Sequence, residues 1–184
     1  MKVIGVIGLI GAGKDSANEY IMEQYDYRLV HFGDIVREIA KKMNKEPNRD
    51  NLLAIQREYT KKHGIDYFAK EVVKRIEKGG FDKVIINGIR RPVDASVPKQ
   101  RFGKSMILLQ VDADPKIRFE RMSKRGRVGD PKTFGEFRRQ ENAEAKAFDF
   151  KDTLKLVDYK VTNNGTLEEL HKQIDKLLEK TGFD

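Results

Sequence analysis

The residues with the clearest capacity for chemistry lie near the start of the chain, in Gly8-Leu9-Ile10-Gly11-Ala12-Gly13-Lys14. A triphosphate needs closely spaced backbone N–H donors, a helix N-terminus and a cation that reaches the outer phosphates. Glycines permit that close approach and Lys14 supplies the cation, whereas a glycine-rich turn chosen for packing alone gives no reason for the lysine. The segment follows an apolar run, Lys2 to Ile7, and opens a helical pattern, the context such a loop requires. Gly8, Ile10, Gly11, Ala12, Gly13, Lys14, Asp15 and Ser16 are therefore expected to bind a nucleoside triphosphate. Where Ser or Thr ordinarily follows the lysine, this chain has Asp15, with Ser16 one residue later. Asp15 could hold a magnesium ion directly or through water, or Ser16 could approach it. Alternatively, Asp15 merely favours the positive end of the helix.

A second set of candidates is rich in arginine. After the second apolar run comes His31-Phe32-Gly33-Asp34-Ile35-Val36-Arg37, and after the third comes Asn87-Gly88-Ile89-Arg90-Arg91-Pro92. A later helical stretch carries Arg121 and Arg125 one turn apart on one face, and a further one carries Arg138 and Arg139. On these motifs the chain resembles the nucleoside monophosphate kinase family, of which adenylate kinase is the best known, and its dephospho-CoA kinase-like relatives. The resemblance implies that Asp34 and Arg37, in a Gly-Asp-x-x-Arg segment, belong to the acceptor site. It implies the same for Arg90 and Arg91: counting along the Asp-Gly-x-x-Arg pattern selects Arg91, while the Asp-Gly-Ile-Arg form selects Arg90, which is preferred. Asn87 stands where those relatives usually have aspartate. By the same resemblance Arg121 lies over the donor base, Arg125 touches the transferring phosphates and Arg138 enters from a lid. Asn164, in Asn163-Asn164-Gly165-Thr166, lies beside the donor adenine. Gln56, Arg57 and Tyr59 could touch an acceptor, although packing and solvation explain them as simply.

Phosphoryl transfer requires alignment of donor and acceptor, neutralisation of the moving charge and exclusion of water. The expected activity is transfer from ATP, with Mg2+, to a nucleoside or deoxynucleoside monophosphate. Lys14, Arg121, Arg125 and Arg138 are the expected catalytic residues. Two alternatives stay open: transfer to a dephospho-CoA-like acceptor, and a P-loop ATPase that switches conformation on RNA or a protein partner. The scattered basic residues keep a nucleic-acid partner in view, and the chain could act as a monomer or a homodimer.

These residues need a scaffold, and the sequence alternates short β-branched runs with helical patterns, which predicts an α/β fold around a parallel sheet. Strands are expected at 2–7, 27–31, 83–87, 105–111 and 159–162, mostly as continuous apolar runs suited to burial on both faces. Helices are expected at about 14–25, 34–45, 48–62, 66–78, 115–125, 134–148 and 166–180. Thr166 with Glu169 forms a capping box, Asp66 can cap the helix at Tyr67, and Gly79-Gly80 stops it. Pro47 and Pro92 fall where first helical turns should start, and Pro98 argues that any helix after Arg91 is short. The expected architecture is one P-loop domain, 1–184, a three-layer sandwich on a five-stranded parallel sheet. Its core comprises 1–33, 80–125 and 149–184, with an inserted helical acceptor subdomain at about 34–79 and a short lid at about 126–138.

Length and composition agree with that scaffold. The 184 residues suffice for one domain with a substantial core, and 39% hydrophobic with 36% charged residues excludes disordered and fibrous classes. The apolar run 3–13 is too short to span a bilayer and, broken by four glycines, reads as part of the mature fold rather than a secretory signal. With no cysteine, disulfides and thiolate chemistry are excluded, and a cytoplasmic location is the default expectation. The three histidines are scattered and read as ordinary surface or strand-end residues. The net charge of +8 favours an acidic partner, and residues 112–139, with nine basic against five acidic side chains, carry half of it.

Overall fold

Alternate residues of the first strand enter different cores, and this explains its unbroken apolarity. In β1 (Lys2–Ile7), Val3 and Ile7 are buried on one face of the sheet, while Ile4 and Val6 are buried on the other. The computed structural model describes every residue except Val128, and of Arg49 the backbone only. Val128 falls inside the expected lid, so that part of the expectation lies outside the described residues.

Four further strands, β2 (Arg28–His31), β3 (Lys83–Asn87), β4 (Met106–Asp112) and β5 (Tyr159–Thr162), complete one parallel sheet in the order β2-β3-β1-β4-β5. Register places Ile4 beside Ile85 and Ile107, all facing one layer. There α1 (Lys14–Tyr25) contributes Ala17 and Ile21, and α9 (Leu167–Thr181) contributes Leu170, Ile174 and Leu178. The opposite face is covered by α2 (Phe32–Lys42), α4 (Tyr67–Gly79) and α5 (Pro92–Phe102), through Ile35, Ile39, Val72, Ile76 and Ala95 among others. The expected three-layer α/β sandwich is therefore present. Within the 34–79 segment α2 and α4 share the core of the sheet, and α3 (Arg49–His63) joins it through Ile55. Toward the end of the chain come α6 (Pro115–Arg125), α7 (Phe134–Ala147) and the short α8 (Phe150–Leu154).

The strand order reverses direction at β1, with β3 on one side and β4 on the other. In an open parallel sheet the crevice beyond the carboxyl ends of such strands is where ligands bind. The phosphate loop, the 31–37 segment and the 87–92 segment all leave the sheet at that edge.

Several helix boundaries depart from the sequence expectation. The helix expected from 34 starts at Phe32, because the Nδ1 of His31 accepts the Gly33 N–H at 2.7 Å and caps the helix two residues early. Asp66 occupies the N-cap position of α4 as expected, but its carboxylate makes no capping bond and pairs with Lys70 at 2.6 Å instead. Pro47 precedes the helix start, and Asn48 provides the cap by accepting the Asn51 N–H at 3.0 Å. The helix after Arg91 runs eleven residues through Pro98. Ala95, Pro98 and Phe102 are buried along one face, and this packing offsets a backbone penalty of roughly 3 kcal/mol. The expected capping box is formed: Thr166 Oγ1 accepts the Glu169 N–H at 3.2 Å, and the Glu169 carboxylate accepts the Thr166 N–H at 3.0 Å. Among the described residues no helix is long and apolar enough to cross a membrane.

Replacing Thr166 by Ala removes this cap from the helix that covers the sheet. Thermal unfolding of Thr166→Ala should show a loss of about 1 kcal/mol, or roughly 2–4 °C in Tm.

Candidate active site

The phosphate loop is held open by backbone that only glycine adopts easily. Gly11 (φ 78°) and Gly13 (φ 93°) both lie in the left-handed region, and Gly13 caps α1. A Cβ on Gly13 would overlap the Asn163 amide, and one on Gly11 would stand 2.8 Å from the Arg118 carbonyl oxygen. The loop is clasped from outside as well. Asn163 donates from Nδ2 to the Ala12 carbonyl at 2.9 Å, and Arg118 donates from Nη1 to the Ile10 carbonyl at 3.3 Å. Lys14 lies back across the loop, its Nζ donating to the carbonyls of Gly8 (2.8 Å) and Leu9 (3.2 Å). Burial pushes its ammonium below the usual lysine range, against the attraction of Asp15 and Glu144, with Arg90 and Arg118 adding to the depression. Asp15 is exposed on the first turn of α1 and Ser16 is half-buried beside it.

The ends of β2 and β3 bring the expected acceptor residues to the same edge. His31 is held neutral chiefly by burial, and the charges acting on it are Asp34, Arg37, Arg90 and Asp15. Asp34 and Arg37 form an exposed ion pair at 2.8 Å. Arg90 and Arg91 both lie over the Phe148 ring, with guanidinium carbons 5.1 and 5.7 Å from its centre, and Arg90 is 4.0 Å from the Glu144 carboxylate. The turn is fixed by Asp94, which accepts the backbone N–H groups of both arginines, and by Thr153, whose hydroxyl donates to the Arg90 carbonyl at 2.9 Å. Burial raises the Asp94 carboxyl above the usual range, and those two N–H donors oppose the shift. Asn87 accepts the Gly88 N–H through its own side chain at 2.9 Å.

On the other side of the loop, α6 and α7 carry the remaining arginines. Arg121 donates from Nη2 to the Asn163 side-chain oxygen at 3.3 Å, while its Nη1 is buried without a hydrogen-bond partner among the described residues, near Gly13. Arg125 grips Asp130 with two bonds, at 2.5 and 3.2 Å, and this pairing holds the Asp130 carboxyl below its usual range. Arg138 donates to Glu141 at 2.6 Å. Asn164 accepts the Asp114 N–H at 2.8 Å.

The structure thus sets Asp15 and Arg90 within electrostatic reach of both Lys14 and His31, brings Asp34 and Arg37 within reach of His31, and sets Arg121 against the loop. Arg91 is turned onto Phe148, and Arg125 is engaged with Asp130. Gln56 and Arg57 are exposed, and Tyr59 packs in an aromatic group with His63, Tyr67 and Phe68. Sequence reasoning passed over four residues of the site: His31, Glu144, and the buried pair Arg118 and Glu141. The pair left a readable trace, because Arg118 shares the apolar side of α6 with Met122, and Glu141 that of α7 with Phe137. His31, taken for an ordinary strand-end residue, is the N-cap that starts α2.

The chain is similar to known proteins in sequence and in fold. Residues 7–138 match the family described as AAA domain. A UPF0200 protein of Hyperthermus butylicus is 33% identical over 178 residues, spanning 97% of this chain and 94% of that protein. The chain belongs to the AAA-domain and UPF0200 families. Another UPF0200 protein, from Methanosarcina acetivorans, is 28% identical over 97% of this chain and 94% of its own length. Among solved structures, the shikimate kinase of Acinetobacter baumannii in complex with shikimate superposes with a TM-score of 0.61 at 16% identity, over 100% of this chain and 96% of that one. A sugar kinase from Janibacter superposes with a TM-score of 0.56 at 14% identity, over 97% and 95% of the two chains. The UPF0200 chain thus has a P-loop kinase-like fold.

The His31 cap makes stability depend on pH. Its folded pKa lies below the ordinary 6.5, so protons bind preferentially to the unfolded chain, and stability is lost as pH falls below that value. Between about pH 7 and pH 5, Tm of the wild type should fall more than that of His31→Gln; equal slopes would remove His31 as the source.

Proposed function

We propose that this protein transfers a phosphoryl group from ATP to a nucleoside or deoxynucleoside monophosphate. The observation that carries the reading is the convergence, at one edge of the sheet, of a glycine phosphate loop with Lys14, the arginines Arg37 and Arg90, and the Nη1 of Arg121, which has no hydrogen-bond partner among the described residues. Such a convergence of cationic groups suits two phosphorylated ligands meeting end to end. The resemblance to nucleoside monophosphate kinases along the same motifs points to the same class of acceptor.

In this reading the loop amides and Lys14 bind the outer phosphates of ATP, and Lys14 exchanges the carbonyls of Gly8 and Leu9 for phosphate oxygens. Partial desolvation of the ammonium strengthens its pull on those oxygens. Arg121 and Asn164 flank the donor nucleotide. Arg37 and Arg90 align the acceptor phosphate, with Asp34 orienting Arg37 and the Phe148 ring supporting Arg90 and Arg91. Arg125 and Arg138 rest on carboxylates, Asp130 and Glu141, which a more highly charged phosphoryl group can replace. Among the described residues no cluster of three His, Cys, Asp or Glu could hold a metal. That suits magnesium, which commonly takes one or two protein oxygens together with substrate phosphates. Asp15 or Ser16 would hold it, and its charge would neutralise the phosphates. The helices of 34–79 would choose the acceptor base, and the 126–138 segment would cover the donor.

The deciding experiment measures ADP formation from Mg-ATP against every ribo- and deoxyribonucleoside monophosphate and dephospho-CoA, with a no-acceptor control. One monophosphate should stand well above the control. Preference for dephospho-CoA would change the acceptor class, and hydrolysis indifferent to acceptor would replace the kinase by an ATPase switch acting with RNA or a protein. Lys14→Ala and Arg125→Ala should each lower turnover at least about tenfold, roughly 1.4 kcal/mol of barrier. Near-normal turnover in both would sink the assignment.

A further inference from the structure

The ion pair between Arg118 and Glu141 is the most deeply buried charged contact described in the protein, with the two residues 2% and 5% exposed. A pair so far from water gives doubtful net stability, so its connections carry more information than its energy. Arg118 reaches in three directions: Nε donates to the Ala113 carbonyl at 2.8 Å, Nη1 donates to the Ile10 carbonyl in the phosphate loop, and the guanidinium lies 5.2 Å from the centre of the Phe137 ring on α7. The main chain of Arg118 also abuts Gly11. Glu141 divides its carboxylate, with Oε1 facing Arg118 and Oε2 accepting from Arg138, whose side chain is about half exposed. One buried guanidinium therefore touches both the loop that would hold the triphosphate and the helix that carries Arg138. Farther along the same helix, Glu144 reaches toward Arg90 on the acceptor side.

We propose that Glu141 is a positioning residue which, through Arg118, ties the setting of α7 and its Arg138 to the conformation of the phosphate loop. The inference rests on the nucleotide-binding part of the reading above. When the loop adjusts around phosphates, the Ile10 carbonyl moves Arg118, and the paired carboxylate carries that shift to α7. Arg138 is the releasable partner because it is half in water, whereas Arg118 keeps Glu141 engaged throughout.

The test uses Mg-ATP alone, with affinity read by calorimetry and the response of α7 by amide hydrogen exchange. In the wild type, Mg-ATP should slow exchange in residues 134–147 by about tenfold. Glu141→Gln should keep ATP affinity within about threefold and lose most of that response, while phosphate-loop amides remain protected. If Glu141→Gln fails to fold, the double variant Arg118→Met/Glu141→Met, which replaces the pair with apolar side chains of similar length, decides the matter. Arg138→Ala, with Glu141 intact, should retain the α7 response. Loss of the response in Arg138→Ala would mean that phosphate acts on α7 directly, and a folded Glu141 variant with the full response would dispense with the relay; either overturns the proposal. A wild type that binds Mg-ATP without any α7 response overturns this proposal alone. A wild type that binds no Mg-ATP overturns the nucleotide reading and the proposal with it.

Discussion

The arrangement of the site depends on a six-residue loop held in backbone conformations that most residues avoid. Left-handed glycines let the loop turn sharply, but they also leave it with little stiffness of its own, since glycine has the most conformational freedom to lose. Rigidity comes from neighbours distant in sequence. Arg118 holds the Ile10 carbonyl and Asn163 holds the Ala12 carbonyl; Arg118 follows β4, the neighbour of β1, and Asn163 follows β5, one strand farther out. Both clasps therefore reach the loop from the same side of β1, the side on which β4 and β5 lie.

Charge is distributed around that loop in a consistent way. Five of the seven cationic side chains proposed to meet phosphate rest on a carboxylate or an aromatic ring: Arg37 on Asp34, Arg125 on Asp130, Arg138 on Glu141, and Arg90 and Arg91 on Phe148. The Arg37–Asp34 pair is about half exposed on both sides, and such a pair is worth little in water, whereas Asp130 and Glu141 are largely buried beneath partly exposed arginines. Arg118 differs in being buried itself, and its hydrogen bonds go to backbone carbonyls, one of them in the loop.

Much of this was legible in the sequence. The continuous apolar runs mark strands buried on both faces, and the five strands lie where those runs predict. The glycine spacing with Lys14 specifies the loop because backbone geometry near phosphates tolerates few other residues. Helix ends were less legible wherever a side chain had two uses. Asp66 could cap or pair with Lys70, and His31 could lie idle or accept the Gly33 N–H; the sequence does not rank such alternatives, because their energies differ by less than tertiary packing supplies. Pro98 survives inside a helix for the same reason, since burial of its ring against the core outweighs the lost backbone bond.

The sequence by itself determined the periodicity of burial, the glycine loop with its lysine and the set of arginines in the segments around it, since these follow from local pattern and side-chain chemistry. Tertiary structure alone decided which of those arginines face one another. Arg118 is an unremarked residue of an ordinary helix until α7 folds across α6 and presents Glu141 to it. Arg90 and Arg91 are equivalent neighbours until Phe148 and Glu144 arrive from α7 and the turn after it. Pairings of this kind join segments tens of residues apart, and their strength is set by burial and geometry that exist only once the sheet has brought those segments to one edge.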